Sequence, residues 1–253
     1  MAIDWNAMLK LPEQALLPEK KVDKTTLIAQ GELTKAQQKM LDAVKRLSLI
    51  AAIQKSTTRI SSYKDEYYIV ESIPFLSCEL RTTKNSTELI EVLHSVFPNP
   101  TLLLMEFENQ IMISVALTRR SMAEKGKMVL EKIATSPLFD PSDHVYGSFI
   151  DALAYYKVPQ NNLLEYVSYL YEMISLSKYV QPLGFFPVLI TGDFTGFSET
   201  MKEYERCSQE LRRLETEKHG APIGIAAKLR VSIDKLEQEQ HRLSERIKEY
   251  CNA

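Results

Sequence analysis

Residues 67–80, YYIVESIPFLSCEL, form the longest run in the chain that is rich in β-branched and aromatic side chains. Alternate positions are apolar on both sides of the run, and Glu71 lies between Ile69 and Ile73 on one of them. The pattern predicts a central strand that other elements must cover on both faces. Pro74 cannot donate a hydrogen bond to a neighbouring strand, so we expect a bend, a bulge or a sheet edge there.

The sequence around this strand predicts a compact α/β unit. Apolar residues recur at helical spacing in residues 33–53 and again in residues 86–97, where Pro98 ends the pattern. Residues 101–107 and 110–117 are typical of two strands joined by a short hairpin. Because the adjacent strands are joined by short loops, we expect a largely antiparallel sheet.

Helical patterns dominate the rest of the chain, at residues 128–133, 144–156 and 161–176 and in the tail. The predicted fold class is α/β, of the α+β type, with a small, mostly antiparallel sheet and flanking helices. The expected segments are an N-terminal arm (1–32), an α/β core domain (33–127), a helical region completing the body (128–198) and a C-terminal helical hairpin or coiled coil (199–253).

The tail has the clearest periodicity in the sequence. Its apolar positions are spaced alternately by three and four residues, as in a heptad seam, and a Gly-Ala-Pro reversal precedes them. The pattern fits an antiparallel hairpin that closes on itself, and it fits a coiled coil that holds a partner or a second copy equally well. The candidate interface residues are Ala226, Leu229, Ile233, Leu236, Gln240, Leu243, Ile247 and Tyr250.

The charge balance argues against a domain built mainly on phosphate contacts. The 253 residues carry a formal net charge of −2, with 45% hydrophobic and 25% charged residues, which is an ordinary globular composition. Basic side chains are nevertheless concentrated just after residue 117 and in the N-terminal arm. The candidate DNA-contacting residues are Arg119, Arg120, Lys125, Lys127, Lys20, Lys21 and Lys24.

The cysteines and the N-terminus bear on the compartment. Cys78, Cys207 and Cys251 are far apart and form no CxxC pair, which favours neither disulfides nor a zinc site and fits a reducing environment. The first residues lack the basic and apolar regions of a signal peptide, and no segment approaches the roughly 18 apolar residues that span a bilayer. We therefore expect a cytoplasmic protein without a membrane partner.

The chain contains no glycine-rich phosphate loop, nucleophile elbow or zinc-binding helix motif, and we expect no cofactor. Glu71 is the strongest chemical candidate, since a carboxylate on a buried strand face needs a cation or a metal beside it. The alternatives to a metal site are a buried ion pair and an exposed glutamate at the edge of the sheet. With Glu79 and Glu106 on neighbouring strands it could form an acidic metal cluster. Arg81, two residues after Glu79, only partly resembles the lysine that nucleases place at that offset.

Several segments together resemble a known bacterial family. They are the early Leu11-Pro12, the basic KKVDK arm at residues 20–24, TTRISS, VESIPFLSCEL, and VFPNP before TLLLMEF. They are similar to domain of unknown function 4391, whose members are commonly encoded in antiviral defence islands beside a Swi/Snf-like helicase and a DNA methyltransferase. The resemblance covers nearly the whole chain and implies an accessory subunit acting on or beside DNA, without catalytic residues to carry over.

Two functional hypotheses follow from the sequence. In the first, the protein is a non-enzymatic adaptor of an antiphage defence system that binds the helicase or the methyltransferase, with DNA contact through the basic residues. In the second, it is a metal-dependent nuclease that uses Glu71, Glu79 and Arg81. Self-association through the C-terminal helices is compatible with either hypothesis.

Overall fold

A computed structural model describes residues 3–31, 33–124, 126–189 and 193–251 of the chain. The chain divides into two compact units, Met1–Phe186 and Pro187–Ala253. The first unit contains the sheet together with the proposed arm, core and most of the helical region. The second unit contains the C-terminal helices.

In the described residues of the first unit, a six-stranded sheet has the order β1-β2-β5-β6-β7-β8, and β3 pairs separately with β4. The bounds are β1 (Leu16–Lys21), β2 (Val44–Gln54), β3 (Tyr63–Lys64), β4 (Ile69–Val70), β5 (Ser72–Leu80), β6 (Thr101–Phe107), β7 (Gln110–Arg120) and β8 (Met128–Thr135). Neighbouring strands are antiparallel except β5 and β6, which are parallel. The expected mostly antiparallel sheet is confirmed.

The helices flank this sheet and form the tail. Their bounds are α1 (Trp5–Leu9), α2 (Lys24–Gly31), α3 (Lys35–Met40), α4 (Lys55–Thr58), α5 (Ser86–Val96), α6 (Gly147–Ala152), α7 (Leu163–Leu176), α8 (Val180–Leu183), α9 (Phe194–His219) and α10 (Ile223–Cys251). The helix α5 connects β5 to β6, as a parallel pair requires. The mixed α/β fold class is confirmed.

Both faces of the sheet are buried, as the sequence predicted. On one face, the strands and the helices α2 and α5 form a cluster that includes Leu76, Cys78 and Leu93. On the other face lie the alternate residues, among them Phe75, and α7 packs against β5, β7 and β8. We call these the α5 face and the α7 face.

The predicted central strand is shorter than expected. Residues 69–70 belong to the separate β3–β4 ribbon, and the sheet strand begins only at Ser72. Glu71 lies at the bend between them and is exposed. The prediction that Glu71 occupies a buried strand face is therefore wrong, because the chain leaves the ribbon at this residue before it enters the sheet.

Two segments predicted as helices are strands. Only Lys35–Met40 of residues 33–53 is α-helical, with Thr34 as its N-cap, and Val44–Gln54 forms β2. Residues 128–133 belong to β8. In both cases an apolar run with helix-forming residues gains more from pairing with a neighbouring strand than from local helix propensity. Residues 144–156 contain a single 3-10 turn at His144–Tyr146 followed by the short helix α6, in place of one long helix.

The second unit is an antiparallel helical hairpin of α9 and α10. Gln240 Nε2 donates to Ser208 Oγ at 2.8 Å, and the Cys207 thiol donates to the carbonyl of Leu236 at 3.3 Å. Near the open end, the rings of Phe197 and Tyr250 meet edge to face with centroids 6.0 Å apart. These contacts fix the register of the two helices, and the predicted hairpin is confirmed.

Candidate functional site

The predicted interface residues of the tail mostly stabilise the hairpin itself. Ile233, Leu243 and Ile247 are buried, and Gln240 makes the hydrogen bond to α9 described above. The remaining seam positions are half-buried. The three buried side chains pack against the neighbouring helix and therefore have a structural role in the hairpin, and the interface prediction stays a prediction for the half-buried positions.

An apolar surface at the distal end of the hairpin was not predicted. Ile223, Ile225 and Val231 are 91%, 51% and 56% exposed, close to the turn that joins the two helices. Ile223 and Val231 lie roughly 80° apart around α10 and both on the side away from the buried seam, whereas Ile225 lies nearer the seam. We call these three residues the hairpin tip. The sequence feature that could have predicted this surface is the presence of bulky apolar side chains next to the predicted turn.

The basic residues at the end of β7 and in the loop that follows it form only a modest positive surface among the described residues. Arg119 and Arg120 are half-buried, and Arg119 Nη1 donates to the carbonyl of Arg120 at 3.0 Å. Lys127 is exposed and forms an ion pair with Glu124 at 3.2 Å. Lys125 lies outside the described residues. The charge available to a phosphate is therefore smaller than the sequence indicated.

The lysines of the N-terminal arm are partly neutralised as well. Lys21 pairs with Asp23 at 3.2 Å, and Lys24 pairs with Asp42. Hydrogen bonding to the Lys24 ammonium lowers the pKa of the Asp42 carboxyl. Lys20 is exposed on the edge strand β1. The arm thus presents mixed charge to solvent.

The structure brings together two of the acidic candidates and separates the third. Glu79 on β5 and Glu106 on β6 are register partners in the parallel pair. Glu71 is eight residues from Glu79 along an extended strand, or roughly 26 Å. Glu71 and Glu79 therefore cannot bind one metal ion. Arg81 is exposed beyond the end of β5.

Glu79 and Glu106 line a groove of about 580 Å³ on the α7 face, beside α1 and β1. Trp5 Nε1 donates to Glu106 Oε1 at 2.6 Å, and Lys45 Nζ lies 2.5 Å from Glu79 Oε1. Arg46 at the groove pairs with Glu19 at 2.8 Å. Each carboxylate thus has a donor. Within the described ranges, no group of three or more potential ligands could hold a metal ion.

A buried polar pair lies on the α5 face. His94 Nε2 and Ser114 Oγ are 2.9 Å apart, and Ser114 Oγ donates to the carbonyl of Ala134 at 3.1 Å. Burial lowers the pKa of His94 to about 3. Both side chains are almost fully buried, so this histidine is a neutral packing residue and is not accessible to a substrate.

Fold and surfaces together define an α/β protein with a mixed six-stranded sheet and a helical hairpin as a second compact unit. No helix in the described parts of the chain has the length and apolar character needed to cross a membrane. The chain belongs to the family described as domain of unknown function DUF4391, whose model matches residues 9–248. The resemblance seen in the sequence is thereby confirmed. Neither a curated protein nor a solved structure matches the chain.

Proposed function

We propose that this protein is a non-enzymatic accessory subunit of a prokaryotic antiphage defence system and that it acts in the cytoplasm. The observation that carries the proposal is the hairpin tip, since three large apolar side chains remain in solvent on an element that already has its own buried seam. Clustered exposed apolar residues of this kind mark interaction sites. The proposed partner is the helicase or the DNA methyltransferase encoded beside such genes.

The division of the hairpin into two parts supports this role. Its seam residues stabilise the hairpin, and its tip residues are each more than half exposed. A partner can therefore bind the tip without opening the hairpin. Contact of the tip with a second copy of the chain is the competing arrangement.

Copurification with a tagged full-length protein tests the proposal. The double substitution Ile223→Lys and Val231→Lys should abolish copurification of the helicase and the methyltransferase while circular dichroism shows intact helices. Ser232→Lys with Gln238→Lys is the matched control, because it makes the same charge change at two exposed positions of α10. Retention of both enzymes by the tip variant, or loss of both by the control, would refute the role of the tip.

Direct DNA contact is a further part of the proposal and rests on Arg119 and Lys127. Binding of a labelled duplex should weaken steeply as salt increases, since each phosphate contact releases counterions. Replacing both residues with glutamine should flatten that salt dependence. An unchanged slope would remove these residues from the DNA-binding surface.

The alternative function, a metal-dependent nuclease, now rests on Glu79 and Glu106. Their juxtaposition on adjacent strands is the observation that favours it. Cleavage of duplex DNA with Mg²⁺ or Mn²⁺ would have to disappear in Glu79→Gln and Glu106→Gln and persist in Glu71→Gln. Equal activity in all of these variants would identify a contaminant and dispose of the alternative.

A further inference from the structure

The last strand of the sheet, β8, has one unpaired edge. Among the described residues β8 pairs with β7 alone. Ser136 N donates to the carbonyl of Ile113 at 2.9 Å, and Ile113 lies on β7 in continuous register with the pairs Ser114–Thr135 and Ala116–Ile133.

The direction of the free backbone groups follows from that register. Hydrogen-bonded and non-hydrogen-bonded pairs alternate along an antiparallel ladder. Because the pair of Ile113 with Ser136 is hydrogen-bonded, the N–H and C=O groups of Thr135 and Ile133 point away from β7. An exposed edge of this kind is a template for another strand.

The two edge strands of the sheet differ in how strongly their sequences discourage pairing with another strand. The opposite edge, β1, contains Pro18, Lys20 and Lys21, and proline and lysine are the residues that discourage strand addition. β8 has no proline and one lysine, Lys132, where β1 has two, and its half-buried Ile133 and exposed Leu130 offer apolar contact to an incoming strand. Strand addition is therefore favoured at β8.

A groove runs beside this edge on the α5 face, between α5 and β8. One part, of about 700 Å³, is lined by Glu88, Val92 and Leu130, and a second, of about 520 Å³, by Ile90 and Met112. Glu91 and Ile133 line both parts. The two parts are therefore adjacent along the strand, and apolar side chains line both of them.

The charges around the groove are mostly negative. Glu88, Glu91 and Glu131 are exposed carboxylates at its rim, although Glu131 also accepts a hydrogen bond from the Tyr68 hydroxyl at 3.1 Å. Lys132 lines the same groove, but its ammonium lies 4.5 Å from the ring centroid of Tyr171 on α7.

Lys178 lies at the other end of the groove, with its ammonium 4.7 Å from the ring centroid of Tyr179. Three carboxylates and two lysines line the groove, a formal charge of −1, which favours a cationic ligand weakly.

We propose that β8 and the adjoining groove bind an extended, basic segment of a partner protein as an additional strand of the sheet. The backbone of the segment pairs with Ile133 and Thr135. Its apolar side chains enter the groove, and its arginine or lysine side chains reach Glu88 and Glu91. This is the β-augmentation mode of peptide recognition, in which main-chain hydrogen bonds supply affinity and side chains supply specificity. The site is independent of the hairpin tip.

Fluorescence anisotropy with a designed probe tests the proposal on the full-length protein. The probe is a fluorescein-labelled nonapeptide of sequence Arg-Ser-Val-Ser-Arg-Ser-Val-Ser-Arg, which puts its arginines and valines on the same face of an extended strand. The reference is the same peptide with glutamate in place of arginine. We expect saturable binding of the first and at least tenfold weaker binding of the second. Equal binding of the two peptides would refute the charge selectivity.

Methylation of the peptide backbone tests strand addition without changing the protein. Two methylated forms of the arginine–valine probe are made. One phase carries methyl groups on the backbone nitrogens of odd-numbered residues, and the other phase carries them on those of even-numbered residues. Because only one edge of the peptide pairs with β8, at least one phase should lower the affinity tenfold or more. Unchanged affinity in both phases would show that the probe binds only by charge.

Charge reversal on α5 locates the site. Glu88→Lys with Glu91→Lys should weaken probe binding at least tenfold. Glu13→Lys with Glu108→Lys is the matched control, because it makes the same charge change at exposed positions away from the groove, and it should change affinity less than twofold. An equal loss in both variants would overturn the proposal. So would a dimer that the probe dissociates, since a second copy of the chain would then occupy the edge.

Discussion

His94 should make the first unit sensitive to mild acid. Its ring lies on α5 with 1% of its surface exposed, and Nδ1 has no hydrogen-bond partner among the described residues. Nε2 has Ser114 Oγ as its hydrogen-bond partner, so a doubly protonated ring would carry an unpaired N–H at Nδ1. Protonation there would bury an unpaired cation.

The magnitude follows from the pKa of His94, which burial lowers to about 3 from 6.5. Below pH 6.5 the unfolded state takes up a proton that the folded state does not bind, so stability falls with decreasing pH until it levels off near pH 3. Between pH 7.5 and pH 5 this one residue should lower the free energy of unfolding by about 2 kcal/mol.

Urea unfolding of wild type and His94→Gln at the two pH values measures this effect. Glutamine places an amide near the position of Nε2 and does not titrate, so the variant should lose about 2 kcal/mol less than wild type on acidification. Other titrating groups contribute equally to both proteins and cancel. The same pH-dependent loss in wild type and variant would refute the assignment of a depressed pKa to His94.

Three further perturbations test the packing. Ile247→Ala should cost the hairpin about 2–5 kcal/mol, because it empties a fully buried seam position, whereas Ile223→Ala should change the melting of the same helices little. Trp5→Phe removes the donor to Glu106 and should cost about 1–3 kcal/mol in urea unfolding, while Trp5→Phe combined with Glu106→Gln should recover part of that loss; no recovery would mean that the hydrogen bond is unimportant. Burial raises the pKa of the Cys78 thiol to about 12, so Cys78 should react with a disulfide reagent only on unfolding, and rapid labelling of the native protein at Cys78 would contradict its burial.

Local patterns predicted those elements whose own sequence contains both the periodicity and the stop signal. The helix α5 was predicted because Leu89 and Leu93 repeat on one face and Pro98 follows its end. The β6–β7 hairpin and the two tail helices were predicted for the same reason. By contrast, β2 and β8 have apolar positions that fit both periods, and only their pairing with distant strands decides between them.

The candidate functional surfaces were harder to predict from the sequence than the helices and strands, because they depend on the strand order. Glu79 and Glu106 are adjacent because β5 and β6 are parallel neighbours. The sequence predicted that the two residues lie on neighbouring strands, but it did not predict that the strands are parallel. The role of Trp5 in that groove, and the free edge of β8, require the full strand order. Burial of Ile233 and Ile247 against α9 likewise distinguishes a closed hairpin from an open seam, a choice that heptad spacing leaves undecided.

The two-residue turn between β6 and β7 offers a practical route to a sturdier protein. Glu108 has a φ of 55°, in the left-handed region where a side chain is disfavoured by roughly 1–2 kcal/mol. Glycine has no such penalty, although its freedom in the unfolded chain offsets part of the gain. A glycine or asparagine at this position is therefore a sensible first choice for anyone who needs a more heat-tolerant version for crystallisation.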